Sequence, residues 1–231
     1  MKRAWKILRY TLGAIALAFV IVQLWFYGHI LYWSKYPVGS TRFMEARLHA
    51  MQVKNPKARL AYRWTEYAKI SPNLKRAVIA AEDDKFIDHE GFDWDGIQRA
   101  LEKNEKKGKA VAGGSTITQQ LAKNLFLSGE RSYVRKAEEA IITLMLESTL
   151  SKRRILEIYM NVAEWGNGIF GAEAAARHYY GVSASQLNAW QAARLAAMLP
   201  RPQFYHRNPG SAYLGRYSER ILARMNHAQV P

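Results

Sequence analysis

The sequence contains no cysteine, which excludes disulfides and thiolate metal sites and leaves packing alone to hold the fold. Acidic residues are scarce, 19 Asp and Glu against 34 Lys and Arg, so the formal net charge is +15 at pH 7. No His and Glu spacing resembles a zinc site. The Gly-Lys-Ser/Thr order of a nucleotide-binding loop is missing, and no internal repeat or low-complexity tract is evident. From Tyr10 to Trp33 charge of either sign is absent, and Leu12, Ile15, Phe19, Val20, Leu24 and Ile30 lie within that run. It is long enough to span a bilayer.

The run ends in Trp25, Phe26, Tyr27, Tyr32 and Trp33, an aromatic interface belt, where a cleaved signal would have a shorter apolar region and a small-residue cleavage site. This predicts a retained anchor. Lys2, Arg3, Lys6 and Arg9 precede it, which holds the amino terminus in the cytoplasm and exports the remainder. The exported part stays strongly basic, facing anionic lipid or anionic substrate; export argues against nucleic acid as a partner.

A chain of 231 residues, 49% hydrophobic, suits one domain plus that appendage. The expected division is a basic tip (1–9), a transmembrane helix (10–33), a juxtamembrane or jaw segment (34–69) with one short strand, and a helical domain (70–231). Ser71-Pro72 reads as an N-cap and first helical position, and Leu74, Ala77, Val78 and Ala81 recur at helical spacing up to Glu82. Further helices are expected over Trp94–Glu105, Thr116–Leu127 capped by Ser115, and Tyr133–Leu150 capped by Ser132, the last with a buried stripe of Ala137, Ile141, Leu144 and Met145. Ser151 caps a helix carrying Ile155, Tyr159 and Val162. Ser183 and Gln186 form a capping box for a helix that Pro200 stops, and Tyr213–Met225 supplies one more. Lys106, Lys107, Gly108 and Lys109 with Gly113-Gly114 read as a basic loop.

The densest chemistry follows the Ser71 helix. Residues 82–91 hold five carboxylates and His89 directly after an apolar run. Charge that dense beside a core is costly unless used. Glu82, at the edge of a buried helix, suits a general base with a raised pKa; the plainer reading is a solvated acidic turn. Gly113-Gly114 opens a backbone nest before the hydroxyl-rich Ser115-Thr116-Ile117-Thr118, with Lys123 a turn beyond Gln119 and Gln120, an assembly suited to phosphate. Arg135 and Glu139, four apart, would as a surface pair contribute only a few tenths of a kcal/mol, on the order of 0.3. Beside other cations they suit a sugar leaving on pyrophosphate. Ile155 and Tyr159 read most simply as core, and His178 as an ordinary structural histidine.

Together these blocks resemble the peptidoglycan glycosyltransferase, or transglycosylase, family. The pattern Glu-Asp-x-x-Phe-x-x-His-x-Gly is met by Glu82, Asp83, Phe86, His89 and Gly91. Gly-x-Ser-Thr-Ile-Thr-Gln-Gln is met from Gly113 to Gln120 and completed by Lys123-Asn124. Arg135-Lys136-x-x-Glu139 and Ile155-Leu156-Glu157-x-Tyr159-x-Asn161 follow in order. With one anchor and no penicillin-binding domain, the chain is similar to the monofunctional biosynthetic members.

The resemblance implies a mainly α fold: a lysozyme-like catalytic lobe with a small membrane-proximal jaw behind one transmembrane helix. It implies polymerisation of lipid II, a disaccharide-pentapeptide on undecaprenyl pyrophosphate, into β-1,4 glycan. The setting would be the bacterial inner membrane with the catalytic domain in the periplasm, moenomycin would inhibit, and other cell-wall synthesis proteins would be partners. By family role, Glu82 takes the proton of the acceptor 4-hydroxyl and Glu139 assists at the donor. Lys123, Arg131, Arg135 and Lys136 hold the pyrophosphate; Ser115, Thr116, Gln119, Gln120 and Asn124 line the groove; Asp83, Phe86, His89 and Gly91 support the first motif. Two positions depart from the pattern: Gln191 stands where relatives often carry glutamate, and Glu138 where some carry lysine. No cofactor is specified. Oxygen ligands near Asp83, Asp84 and Asp88 leave a magnesium or manganese requirement open without singling out a site. The rival readings are a glycan-cleaving lytic transglycosylase or muramidase, and a non-catalytic scaffold.

Overall fold

The uncharged stretch and its basic lead form one continuous helix, α1 (Lys2–Trp33), at 1.5 Å per residue about 48 Å long and so longer than a hydrocarbon core of about 30 Å. By length and composition it is a candidate membrane span. The computed structural model describes residues 2–109, 113–127 and 132–231. The chain is mainly α, with α2 (Arg42–Gln52), α3 (Pro72–Glu82), α4 (Trp94–Lys107), α5 (Ile117–Phe126), α6 (Tyr133–Thr149), α7 (Lys152–Val162), α8 (Ala172–Tyr180), α9 (Ala189–Met198), α10 (Pro202–Arg207) and α11 (Ala212–Arg224). Three short strands, β1 (Ala61–Tyr62), β2 (Glu164–Gly166) and β3 (Ile169–Phe170), form a sheet in the order β1-β3-β2. β1 runs parallel to β3 and β2 antiparallel to it, with an irregular register between Glu164 and Gly166.

Caps explain most helix starts. Ser71 accepts from the Asn73 N–H ahead of Pro72, Ser132 from Arg135 and Ser151 from Arg154, each satisfying an amide that the helix cannot. α3, α9 and α11 pack on one another, while α5 packs against α2, α6 and α7. Trp165, Tyr159, Phe86 and Phe170 are the largest fully buried side chains.

The outer end of α1 is fixed to this body. Phe26, Ile30 and Trp33 are buried, and the Phe126 ring lies 4.8 Å from that of Phe26 and 5.3 Å from that of Trp33. Arg154 donates to the carbonyls of Trp33 (2.9 Å) and Tyr36 (2.6 Å), capping the end of α1 from α7.

Several expectations need correction. The 34–69 segment holds a full helix, α2, capped by Thr41. Thr116, not Ser115, caps α5, because its hydroxyl and the Gln119 side chain form a reciprocal box. Lys106 and Lys107 belong to α4, which Gly108 ends at φ 59; the rest of that loop, 110–112, lies outside the described residues. The Ser183/Gln186 box closes only a 3-10 turn, and α9 begins at a second box of Asn188 and Gln191. The buried face of α6 is Glu139, Ile142, Thr143 and Leu146. Leu144 is exposed, and Ile141 and Met145 are half-buried. α6 carries apolar residues on two faces; the expected stripe is the outer one, and the inner one admits Glu139 because cations neutralise it.

Candidate active site

α3 delivers Glu82 at its last position, and Asp83, which ends the helix, turns inward. The Asp83 carboxylate accepts from His89 Nε2 at 2.9 Å and from the Ile117 N–H at 2.9 Å, tying the end of α3 to the positive start of α5. His89 Nδ1 accepts from the Gly91 N–H at 3.1 Å, so the network puts the ring proton on Nε2. Thr116 donates to the Gly91 carbonyl at 2.7 Å, and Lys152 donates to the His89 carbonyl and lies over the fully buried Phe86 ring. The first motif is thus a brace joining α3, α5 and α7. Gly91 sits at φ +90, and a Cβ there would lie 2.7 Å from Thr143 Cγ2, so both backbone and space require glycine.

Glu82 has a separate partner. Its Oε2 accepts from Gln120 Nε2 at 2.8 Å, and Gln120 Oε1 accepts from the Tyr159 hydroxyl at 3.0 Å. Its Oε1 is shut off from solvent and has no protein partner among the described residues. Burial raises the Glu82 pKa above the ordinary 4.5; the Gln120 hydrogen bond and Lys123 oppose that, and Asp83 adds to it. Burial also pushes the Tyr159 phenol well up, so Tyr159 stays a neutral donor.

A cationic group stands beside it. Glu139 is buried, with its carboxylate 3.1 Å from Arg135 Nη1 and paired with Lys136 Nζ. Of the two readings of this pair, a surface ion pair or a carboxylate held among cations, the structure has the second, with Glu139 buried, Arg135 half-buried and Lys136 exposed. Lys123 is exposed, and its ammonium makes no hydrogen bond or ion pair among the described residues. Packing around its stem lowers its pKa, opposed by Glu139; Arg135 lowers it, Glu82 raises it and Lys136 lowers it. Lys123 is thus coupled to both carboxylates.

Two cavities are lined by the two members of the Glu82–Gln120 hydrogen bond. One of about 480 Å³ is lined by Gln120, Lys123, Asn124 and Tyr159 together with Arg47, Arg201 and Arg207. The other, about 160 Å³, is lined by Glu82, Asp83, Asp84, Asp93, Ser115 and Arg224. Glu82 lines the smaller, acidic cavity, while its hydrogen-bond partner Gln120 lines the larger, cationic one. Such a carboxylate can take a proton from a group in one cavity as charge develops in the other.

Of the expected residues, Glu82, Ser115, Gln120, Lys123 and Asn124 face these cavities. Arg135, Lys136 and Glu139 form the adjoining triad. Thr116 and Gln119 are buried capping groups first, although Thr116 also touches the smaller cavity. Arg131 lies outside the described residues. Among the described residues no group of three or more potential ligands gathers to hold a metal ion, and Asp83 is already engaged by His89 and Ile117.

The Transglycosylase family model matches residues 49–226, from within α2 to just past α11. The chain belongs to the transglycosylase family. It is 59% identical over 231 residues to a "Biosynthetic peptidoglycan transglycosylase" of Janthinobacterium sp. (strain Marseille), covering 100% of both chains. Proteins of the same description from Dechloromonas aromatica (strain RCB) and Methylobacillus flagellatus are 61% and 62% identical. These alignments cover 95% of both chains and 92% and 93% of the respective chains. The first alignment includes α1.

Sequence reading missed Arg47, Arg201 and Arg207 as cavity cations, and took Tyr159 as core alone although its hydroxyl reaches the site. Thr41 followed by Met44, Leu48 and Met51 at helical spacing was a usable signal for α2 and hence for Arg47. Arg47 Nε pairs with Glu164 at 2.8 Å, a contact across 117 residues that no local pattern foretells.

Proposed function

We propose that this transglycosylase polymerises lipid II into β-1,4-linked glycan, releasing undecaprenyl pyrophosphate. The observation that carries the reading is Glu82: a carboxylate with one oxygen held by Gln120 and the other buried without a protein donor, between an acidic and a cationic cavity. The acceptor 4-hydroxyl enters from the smaller cavity and loses its proton to Glu82 as its oxygen bonds to C1 of the donor sugar. The C1 bond to pyrophosphate breaks with inversion, and the leaving group departs as an anion needing no proton. Its charge is met by Lys123, Arg135 and Lys136, with Arg131 as a further cation and Glu139 orienting Arg135 and Lys136. A raised pKa makes Glu82 a stronger base near neutral pH than an ordinary carboxylate. Gln120 and Tyr159 fix which oxygen reacts.

α1 anchors the enzyme in the inner membrane with residues 1–9 cytoplasmic and the lobe periplasmic, beside a substrate that cannot leave the bilayer cheaply. The test is polymerisation of labelled lipid II by the purified full chain in detergent, with Glu82→Gln and moenomycin as further arms. Long glycan from wild type alone, stopped by moenomycin, is expected. Muropeptides released from purified sacculi, or no polymer from folded protein, would overturn the reading.

A further inference from the structure

The last turn of α3, which carries Glu82, leaves carbonyls to which no following helical turn donates. The Asp83 N–H takes the Ile79 carbonyl at 2.9 Å. The next two carbonyls are taken by side chains of α11, near the other end of the chain. The Tyr217 hydroxyl donates to the Ala81 carbonyl at 3.1 Å, and an Arg224 guanidinium N–H donates to the Ala80 carbonyl. Orphan carbonyls at a helix end are ordinarily met by glycine turns or water. Here two side chains from one helix meet adjacent carbonyls, both directly preceding Glu82.

α11 is well placed to hold them. Leu214, Ser218 and Ile221 are buried as it packs on α3 and α9, and Tyr217, Ile221 and Arg224 recur at helical spacing. Arg224 also lines the 160 Å³ cavity with Glu82. Tyr217 is close enough to sense the carboxylate: burial raises its pKa first, and the Glu82 charge adds to this. The groups around Glu82 are thus Asp83 beside it, Asp84 and Asp93 in the smaller cavity, Gln120 and Lys123 from α5, Tyr159 from α7, and Tyr217 and Arg224 from α11.

We propose that Tyr217 and Arg224 are positioning residues that clamp the last turn of α3 and thereby set the geometry of Glu82 toward the acceptor. This rests on the reading of Glu82 as the base. Neither residue need touch the substrate in this role: each acts through the main chain that carries the carboxylate. Small displacements of a reacting group are expensive, about a hundredfold in rate for 1 Å, so loss of one of two clamps should be visible in turnover.

The experiment compares wild type, Tyr217→Phe, Arg224→Met, Glu82→Gln and the double variant Glu82→Gln/Tyr217→Phe, as full chains in detergent. The readouts are lipid II polymerisation kinetics, the pH profile and thermal melting. Tyr217→Phe and Arg224→Met should each lower kcat about tenfold with the apparent KM for lipid II within about twofold, the pattern of an interaction that matters only in the transition state. For Tyr217→Phe the acid limb of the rate should move to lower pH, because a loosened turn admits water to Glu82 and lowers its pKa. In the Glu82→Gln background the same change should leave the residual rate as it is. An unchanged kcat, a loss confined to KM, or a loss that tracks melting with an unmoved acid limb would each overturn the proposal. Were Glu82→Gln itself fully active, the base reading would fall; a dead Glu82→Gln with a normal Tyr217→Phe removes only the clamp.

Discussion

Glu82→Gln should abolish polymerisation and, in the same protein, raise stability at neutral pH. The carboxylate has one partner, the Gln120 amide, and one buried oxygen without a protein donor. A buried polar group lacking a partner costs about 1–3 kcal/mol, more when charged. Glutamine keeps the shape and an acceptor for Gln120 but removes the charge, so the net gain at pH 7 is about 1–2 kcal/mol once the unpaired amide is counted. For a chain of this size that is roughly 2–8 °C in Tm. The sign follows from linkage. The folded pKa of Glu82 lies above the ordinary 4.5, with burial as the main cause, so the folded state binds more protons than the unfolded state between those two values. Wild-type stability therefore falls as pH rises through that window, whereas the variant lacks this loss. Melting curves from pH 4 to 8 should show the two proteins converging at the acid end and separating toward neutral. The rate should fall at least about a hundredfold, the usual worth of a general base. A variant that is less stable at pH 7, or that differs from wild type equally at pH 4 and pH 7, would refute the burial argument. Retention of more than about a tenth of the rate would refute the catalytic one.

Lys123→Ala should weaken the apparent affinity for lipid II by about tenfold, because it deletes a cation with no ion pair among the described residues from the wall of the larger cavity; steady-state kinetics with unchanged apparent affinity would exclude that role. Glu139→Ala should lower stability by about 3 kcal/mol, since it strands the part-buried Arg135; a loss below about 1 kcal/mol in denaturant melts would return the pair to the surface class. Gly91→Ala combines about 1–2 kcal/mol of left-handed strain with a Cβ set 2.7 Å from Thr143 Cγ2; thermal melts should show a clear drop, and an unchanged Tm would contradict the crowding.

What could be read from the sequence follows the range of each interaction. Glu82 was legible because every signal that places it is local: the Ser71 cap, Pro72, and apolar residues at helical spacing up to the carboxylate. Asp83, Phe86, His89 and Gly91 share one ten-residue block, and their supporting role was implied by the family resemblance. The Gln120 and Tyr159 contacts bridge 38 and 39 residues, and Tyr217 lies 136 residues from the carbonyl it holds. They exist only because the fold brings side chains of α5, α7 and α11 to the end of α3. α6 shows a subtler limit. Its periodicity was plain but its facing was not, because one apolar stripe turns inward and another outward, and a helical wheel cannot tell which neighbour comes to which. Gln191 completes a capping box with Asn188, a role that glutamine fills as well as glutamate.

α5 connects the proposed site to the candidate membrane helix. It starts where Asp83 receives the Ile117 N–H, carries Gln120 against Glu82 and Lys123 toward the larger cavity, and ends at Phe126 among Trp25, Phe26 and Trp33 of the anchor. From Gln120 to Phe126 is six residues, about 9 Å along a helix axis. The carboxylate and the aromatic end of the anchor are therefore fixed to opposite ends of one short, rigid element. An enzyme acting on a diffusing soluble sugar gains nothing from so close a coupling. One acting on a sugar whose pyrophosphate is pinned at the bilayer surface needs it, because the reacting carbon cannot rise to meet the base. On the function proposed above, a short helix between the site and the candidate membrane helix would supply that match in height.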